Sequence, residues 1–177
     1  MALSWSHTVL QVKDGSKMLD FYTRVLGFQV TDQGDLPGDR YIYFLSQQPD
    51  EHHQIGMVTT RTDDGPPNSL AHLAFRVEAM DELRDLIVRV EGEGLSYRPT
   101  SHGSTWSIYF QDPEQNGIEI FHDTPFHVQQ PQGETWDVKM ADDDLLAWTE
   151  EKFKDRTEFG PRDDYVARRT QELQDAD

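Results

Sequence analysis

Cysteine is missing from the 177-residue chain, and with it go disulfides, thiolate metal ligands and a cysteine nucleophile. Long hydrophobic runs are missing too. No apolar stretch approaches the roughly 20 residues of a membrane-spanning helix, so no membrane partner is expected. The N-terminal "MALSWSHTVLQV" has no basic segment followed by an apolar one, and no secretory signal is expected there. Basic residues are scarce, 16 against 33 acidic ones, for a net charge of −17. Such a surface repels a phosphate backbone, which argues against a nucleic-acid partner. A cytoplasmic location follows by elimination. The rest of the composition, 36 % hydrophobic and 28 % charged residues, suits a soluble globular protein with a sizeable core.

An internal repeat organises most of the chain. "SHTVLQVKDGSKMLDFYTRVLGF" (6–28) aligns without a gap on "AHLAFRVEAMDELRDLIVRVEGE" (71–93), an offset of 65 residues. The alignment sets His7 on His72, Leu10 on Phe75, Val12 on Val77, Phe21 on Leu86 and Gly27 on Gly92. Each copy opens with alternating residues and then turns to an i, i+3, i+4, i+7 pattern, which predicts a strand followed by an amphipathic helix. Gly27 and Gly92 are the expected helix stops. Three strand-like runs follow in each copy: "FQVTDQ", "RYIYFLS" and "HQIGMVTT", then "LSYRPTS", "WSIYFQD" and "GIEIFHD". Gly, Pro, Asp and Asn separate them, as in "DDGPPNS" and "DPEQNG". The expected fold is α+β: two βαβββ modules in residues 1–128, their open faces combining into one metal-binding cleft. A C-terminal helical extension occupies 129–177. Within it Asp142 is placed to cap a helix bearing Leu145, Leu146, Thr149 and Phe153. Pro161 ends that helix, and a second carries Val166 and Leu173.

Glu119 is out of place in "GIEIF" unless something shares its charge, because a buried lone carboxylate is costly. Period-two alternation sends Ile118 and Ile120 one way and Glu119 and Phe121 the other. The same alternation sets His7 opposite Leu10 and Val12, and His72 opposite Leu73 and Phe75. If the helices cover the apolar side, His7, His72 and Glu119 all face the cleft, with the two histidines equivalent under the repeat. Two imidazoles and one carboxylate form a divalent-metal constellation. His53, in "HHQIGM", is near Glu119 in repeat register and is expected to face the same way; His52 is its exposed neighbour. Tyr109 turns inward if Ile108 and Phe110 pack outward.

The ordered set "SHTVLQVKD…MLDFYTRVLGF", "AHLAFRVEAMDEL" and "YFQDPEQNGIEIF" resembles the vicinal oxygen chelate (glyoxalase/bleomycin resistance/dioxygenase) superfamily over roughly residues 4–125. The resemblance implies a metal held by His7, His72 and Glu119. Within the superfamily the pattern is most similar to a single-domain type I extradiol ring-cleaving dioxygenase. That likeness implies His53 as acid–base catalyst, Tyr109 as the active-site tyrosine and His102 as a second histidine touching substrate. The two-domain members of that family carry an extra pair of modules; here there is one pair.

The reaction so implied is cleavage of a catechol, an aromatic diol, by dioxygen (O2) at Fe(II), with Mn(II) as the alternative ion. Trp106 and Phe121 are aromatic candidates for the wall of the cleft. Association into a homo-oligomer is in keeping with related proteins. Two other readings share the fold. A glyoxalase-like isomerase or lyase would use His53 as a fourth ligand to Zn(II) or Ni(II). A non-catalytic protein would bind a small molecule without turnover.

Overall fold

The computed structural model describes residues 4–66 and 69–175. The first three residues of the N-terminal stretch, Pro67 and Asn68 of the predicted separator, and the last two residues of the extension lie outside that range. The chain forms two compact units. One runs up to Ala71 and includes Gln111–Asn116; the other comprises His72–Phe110 and the chain from Gly117 onward.

The first unit carries strand β1 (Thr8–Gln11), helix α1 (Gly15–Asp20), and strands β2 (Gln29–Leu36), β3 (Arg40–Ser46) and β4 (Ile55–Val58). A π-helical turn, Phe21–Val25, extends α1. The strands make one sheet in the order β1-β4-β3-β2, with β1 parallel to β4 and the other pairs antiparallel. The expected alternation holds. Leu10 and Val12 are buried with Met18, Phe21, Tyr22 and Val25 of the helical segment, whereas Val9 is exposed. Asp14 accepts from the Lys17 backbone N–H at the helix start, and Gly27 ends the segment with φ of 81°.

The second unit repeats the plan: β5 (Leu73–Arg76), α2 (Met80–Gly92), β6 (Arg98–Ser101), β7 (Thr105–Gln111) and β8 (Gly117–Asp123). Its sheet has the equivalent order, β5-β8-β7-β6, with β5 parallel to β8. Leu83, Ile87 and Val90 of α2 are buried with Ile108, Phe110, Ile118 and Ile120 of the sheet. The Glu82 carboxylate reaches back to the backbone N–H groups of Glu78 and Ala79 and satisfies the helix start. One expectation needs correcting. Gly92 is the last helical residue, and the left-handed stop is Gly94, with φ of 69°. The helix includes the aligned glycine because a second glycine two residues on takes the left-handed conformation.

β9 (Phe126–His127) follows β8 just before the extension, which adds α3 (Asp142–Phe153), β10 (Gly160–Pro161) and α4 (Arg162–Asp175). Leu145, Thr149 and Phe153 share the buried face of α3, as the periodicity predicts, but Leu146 is half-buried and the helix ends at Phe153, before Pro161 is reached. Asp142 does not cap this helix. It is the first helical residue, and its carboxylate pairs with Arg84 of α2 at 2.5 Å. α4 contains no buried residue, and Val166 and Leu173 are both exposed. Among the described residues no helix is long and apolar enough to cross a membrane.

The "DPEQN" turn after β7 shows what a buried carboxylate requires. Asp112 Oδ1 accepts from the backbone N–H groups of Glu114 and Asn116, at 2.9 Å each. Its Oδ2 accepts from Asn116 Nδ2 at 2.7 Å and from the Tyr22 hydroxyl at 3.1 Å. Burial nonetheless raises the Asp112 pKa above the ordinary aspartate value. Asp112→Ala strands four donors, one of them on the fully buried Tyr22. We expect it to destabilise the fold by about 3 kcal/mol, read as a shift of the urea midpoint with unchanged slope. Asp112→Asn keeps one acceptor oxygen and should lose less.

Candidate metal centre

The second unit assembles a hydrogen-bonded row across its sheet. β7 and β8 place Tyr109 and Glu119 on the face opposite Ile108, Phe110, Ile118 and Ile120, as the alternation demands. The Tyr109 hydroxyl donates to Glu119 Oε1 at 2.6 Å. His102, in the turn after β6, sets its Nε2 2.8 Å from the same hydroxyl oxygen. Its Nδ1–H donates to the Gln132 carbonyl at 2.5 Å, which fixes the plane of the ring. At the other end His72 Nε2 stands 3.2 Å from Glu119 Oε2. Glu119 is only 8 % exposed, so almost all its contacts are with these neighbours. Burial and then the Glu119 carboxylate hold the Tyr109 phenol well above its ordinary pKa, so it remains a proton donor at neutral pH.

The first unit presents a histidine group. The rings of His7 and His53 lie 4.2 Å apart between centroids, and His53 also packs on Phe44 at 4.8 Å. His52 Nδ1 is 2.9 Å from His53 Nδ1, so one of the two donates to the other. His53, not the more exposed His52, is therefore the one against His7. Burial first, then the imidazoles of His7 and His52, lowers the His53 pKa and favours the neutral ring. His53 is not on a strand as expected. β4 begins at Ile55, and His53 lies in the loop just before it.

The residues fit a metal in part. A first-row ion about 2.1 Å from two adjacent donors holds them about 3 Å apart, close to the His72–Glu119 separation. Among the described residues no group of three His, Asp or Glu side chains is close enough to hold an ion. The second unit offers one imidazole and one carboxylate; the first offers His7.

Other features of the site were not legible beforehand. Trp106 is not a wall residue. It shares the parity of Ile108 and Phe110, is buried, and gives its indole N–H to Thr149 of α3 at 2.8 Å. Phe121 is half-buried beneath the Arg76 guanidinium, 5.4 Å from its ring centre. Gln132 and Arg98 were missed. Gln132 acts through a backbone carbonyl, which no side-chain pattern reveals. Arg98 lies opposite Tyr109 in the β6–β7 register, and a register is not readable from one strand.

The model of the Glyoxalase/Bleomycin resistance protein/Dioxygenase superfamily matches residues 4–120. The chain belongs to this superfamily. Within it the chain is 30 % identical over 121 residues to biphenyl-2,3-diol 1,2-dioxygenase 2 of Rhodococcus globerulus, covering 66 % of this chain and 60 % of that one. It is 29 % identical over 119 residues to the lactoylglutathione lyase of Neisseria meningitidis serogroup A, covering 64 % of this chain and 86 % of that one. In fold it matches a glyoxylase/bleomycin resistance protein/dioxygenase domain from Frankia sp. EAN1pec, with a TM-score of 0.58 and 24 % identity over 70 % of this chain and 100 % of that one. The chain spans about 60 % of the length of the two dioxygenases from Rhodococcus globerulus that it matches. The superfamily match covers both βαβββ modules and stops short of the C-terminal helices.

Proposed function

We propose that this superfamily member is an Fe(II)-dependent extradiol dioxygenase that opens the ring of a catechol. The observation that carries the reading is the row His102–Tyr109–Glu119–His72, in which a buried carboxylate is paired with an imidazole nitrogen and a phenol. His7, His72 and Glu119 would hold the ion; two nitrogens and one carboxylate oxygen suit Fe(II), with Mn(II) the alternative. When bound, the ion supplies positive charge for the diol oxygens and a path for electrons from ring to dioxygen.

The chain's own residues do the rest. Tyr109 offers its hydroxyl to the substrate oxygen nearest Glu119, and His102, 2.8 Å from the hydroxyl oxygen, packs the phenol in place. His53 takes a proton from the diol and returns it later in the reaction, a task suited to an imidazole near neutrality. Holding ring and dioxygen side by side removes part of the barrier as lost freedom already accounted for on binding.

The lyase reading has one observation in its favour: the chain spans 86 % of the Neisseria enzyme, more than of the dioxygenases. Anaerobic loading with Fe(II), followed by a panel of catechols in air, separates the two. We expect one O2 consumed per substrate and a yellow ring-opened product. No oxygen uptake with any catechol, together with isomerase activity on Zn(II) or Ni(II), would reverse the assignment.

A further inference from the structure

Arg98 is the feature of this face that the ring-opening scheme leaves unused. It lies directly across from Tyr109 in the β6–β7 pair, so the two side chains share a sheet face. Its guanidinium carbon is 4.8 Å from the centre of the Tyr109 ring. Stacking on a ring holds the planar fork in place without using its N–H groups. Of the five donors a guanidinium carries, one is spent, from Nη1 to the Thr100 hydroxyl at 3.2 Å.

Arg98 is exposed, so its remaining donors face solvent and are open to a ligand. Acidic residues outnumber basic ones 33 to 16, and Arg61, Arg76, Arg84, Arg162 and Arg168 each pair with a carboxylate. Among the described residues Arg98 has no such pair, and the row's buried carboxylate, Glu119, lies two strands away. An acidic protein repels anions as a whole, so any anionic ligand it accepts needs a local cation. Glu119, Tyr109 and Arg98 occupy three neighbouring strands. The backbones of Arg98 and Glu119 are thus two strand spacings, about 10 Å, apart across the sheet. One aromatic ring with hydroxyls at one end and a carboxylate at the other spans that interval.

We propose that Arg98 binds a carboxylate on the substrate, so that the substrate class is catechols bearing a carboxylate on the side of the ring away from the hydroxyls. The inference rests on the dioxygenase reading and narrows it. A guanidinium takes a carboxylate through two parallel hydrogen bonds, and a single cation on the face that carries Glu119 suits one negative charge better than the two of a phosphate monoester. Shielding of the Tyr109 ring is the competing role for Arg98, and it predicts no preference among ligands.

The test compares 3,4-dihydroxybenzoate with its methyl ester, in wild type, Arg98→Met and Arg98→Lys. With Fe(II)-loaded protein we expect a KM for the acid about 10- to 100-fold below that for the ester, a ratio that falls to about one in Arg98→Met and partly returns in Arg98→Lys. Raising the salt concentration should weaken the acid and not the ester. Cleavage of both compounds with equal KM, or a ratio that survives Arg98→Met, overturns the inference and leaves the dioxygenase reading intact. Calorimetric titration of both compounds into metal-free protein is the second readout. Preferential binding of the acid that disappears in Arg98→Met, with no catechol cleaved, keeps the carboxylate site and removes the dioxygenase reading. No preference in either assay removes the site.

Discussion

Glu119→Gln is expected to leave a folded protein that no longer retains iron and consumes oxygen with catechols at background rate. The substitution keeps the volume of the side chain and an oxygen able to accept from the Tyr109 hydroxyl, now 2.6 Å away. It removes the single negative charge in a row otherwise made of imidazoles and a phenol. Without that charge, an ion bound by two neutral imidazoles keeps its full +2 in a partly buried place, which weakens binding. Removing an outer partner of a ligand lowers metal affinity about 10- to 100-fold, and removing the ligand itself should exceed that. Tyr109→Phe, which keeps the three ligands and deletes the hydroxyl that Glu119 accepts from, gives the calibrating series member, and its loss of iron should fall within that smaller range. Iron per chain after gel filtration, measured with a chromogenic chelator, and oxygen uptake report the two effects separately. One iron per chain and undiminished turnover in Glu119→Gln would remove Glu119 from the ligand set.

How much of this was legible depends on the range over which each signal acts. Strand parity is local, and it correctly gave Glu119 and Tyr109 the face opposite Ile108, Phe110, Ile118 and Ile120. Trp106 shares the parity of Ile108 and Phe110 and is buried with them. Its size and aromaticity suggested a substrate wall, but the partner that buries it, Thr149, arrives from 43 residues later in the chain. The repeat gave both sheets their equivalent orders, because each copy meets the same problem of covering one sheet face with one helix. It misplaced a helix stop, since a one-residue helix end is set by which glycine can take positive φ, and two stood within reach at Gly92 and Gly94. Arg98 and Gln132 depend on strand register and loop path, both tertiary outcomes. The histidine pair in "EHHQ" offered no parity at all, since it precedes its strand. Only packing against His7 distinguishes His53 from His52, since Phe44 touches both.

That distinction gives the second large effect. His53→Ala is expected to lower kcat with catechols by about 10²- to 10⁴-fold, the usual loss when an acid–base group is removed. The size alone does not identify the role, because loss of a metal ligand also abolishes turnover. Iron content does. An acid–base His53 can be deleted with one iron still bound per chain, whereas the lyase reading makes His53 a fourth ligand and predicts a loss of metal in the same variant. The packing supplies a further readout. His53 fills space between His7 and Phe44, and alanine there opens a gap large enough to admit free imidazole. Added imidazole should then restore part of the lost rate, with a dependence on its protonated fraction that a structural role would not produce. His53→Gln keeps a hydrogen-bonding side chain of similar reach but cannot carry a proton between pH 5 and 8, so it should be as slow as alanine. Wild-type turnover in His53→Ala would end the acid–base assignment, and iron-free His53→Ala protein would move the residue from proton transfer to coordination.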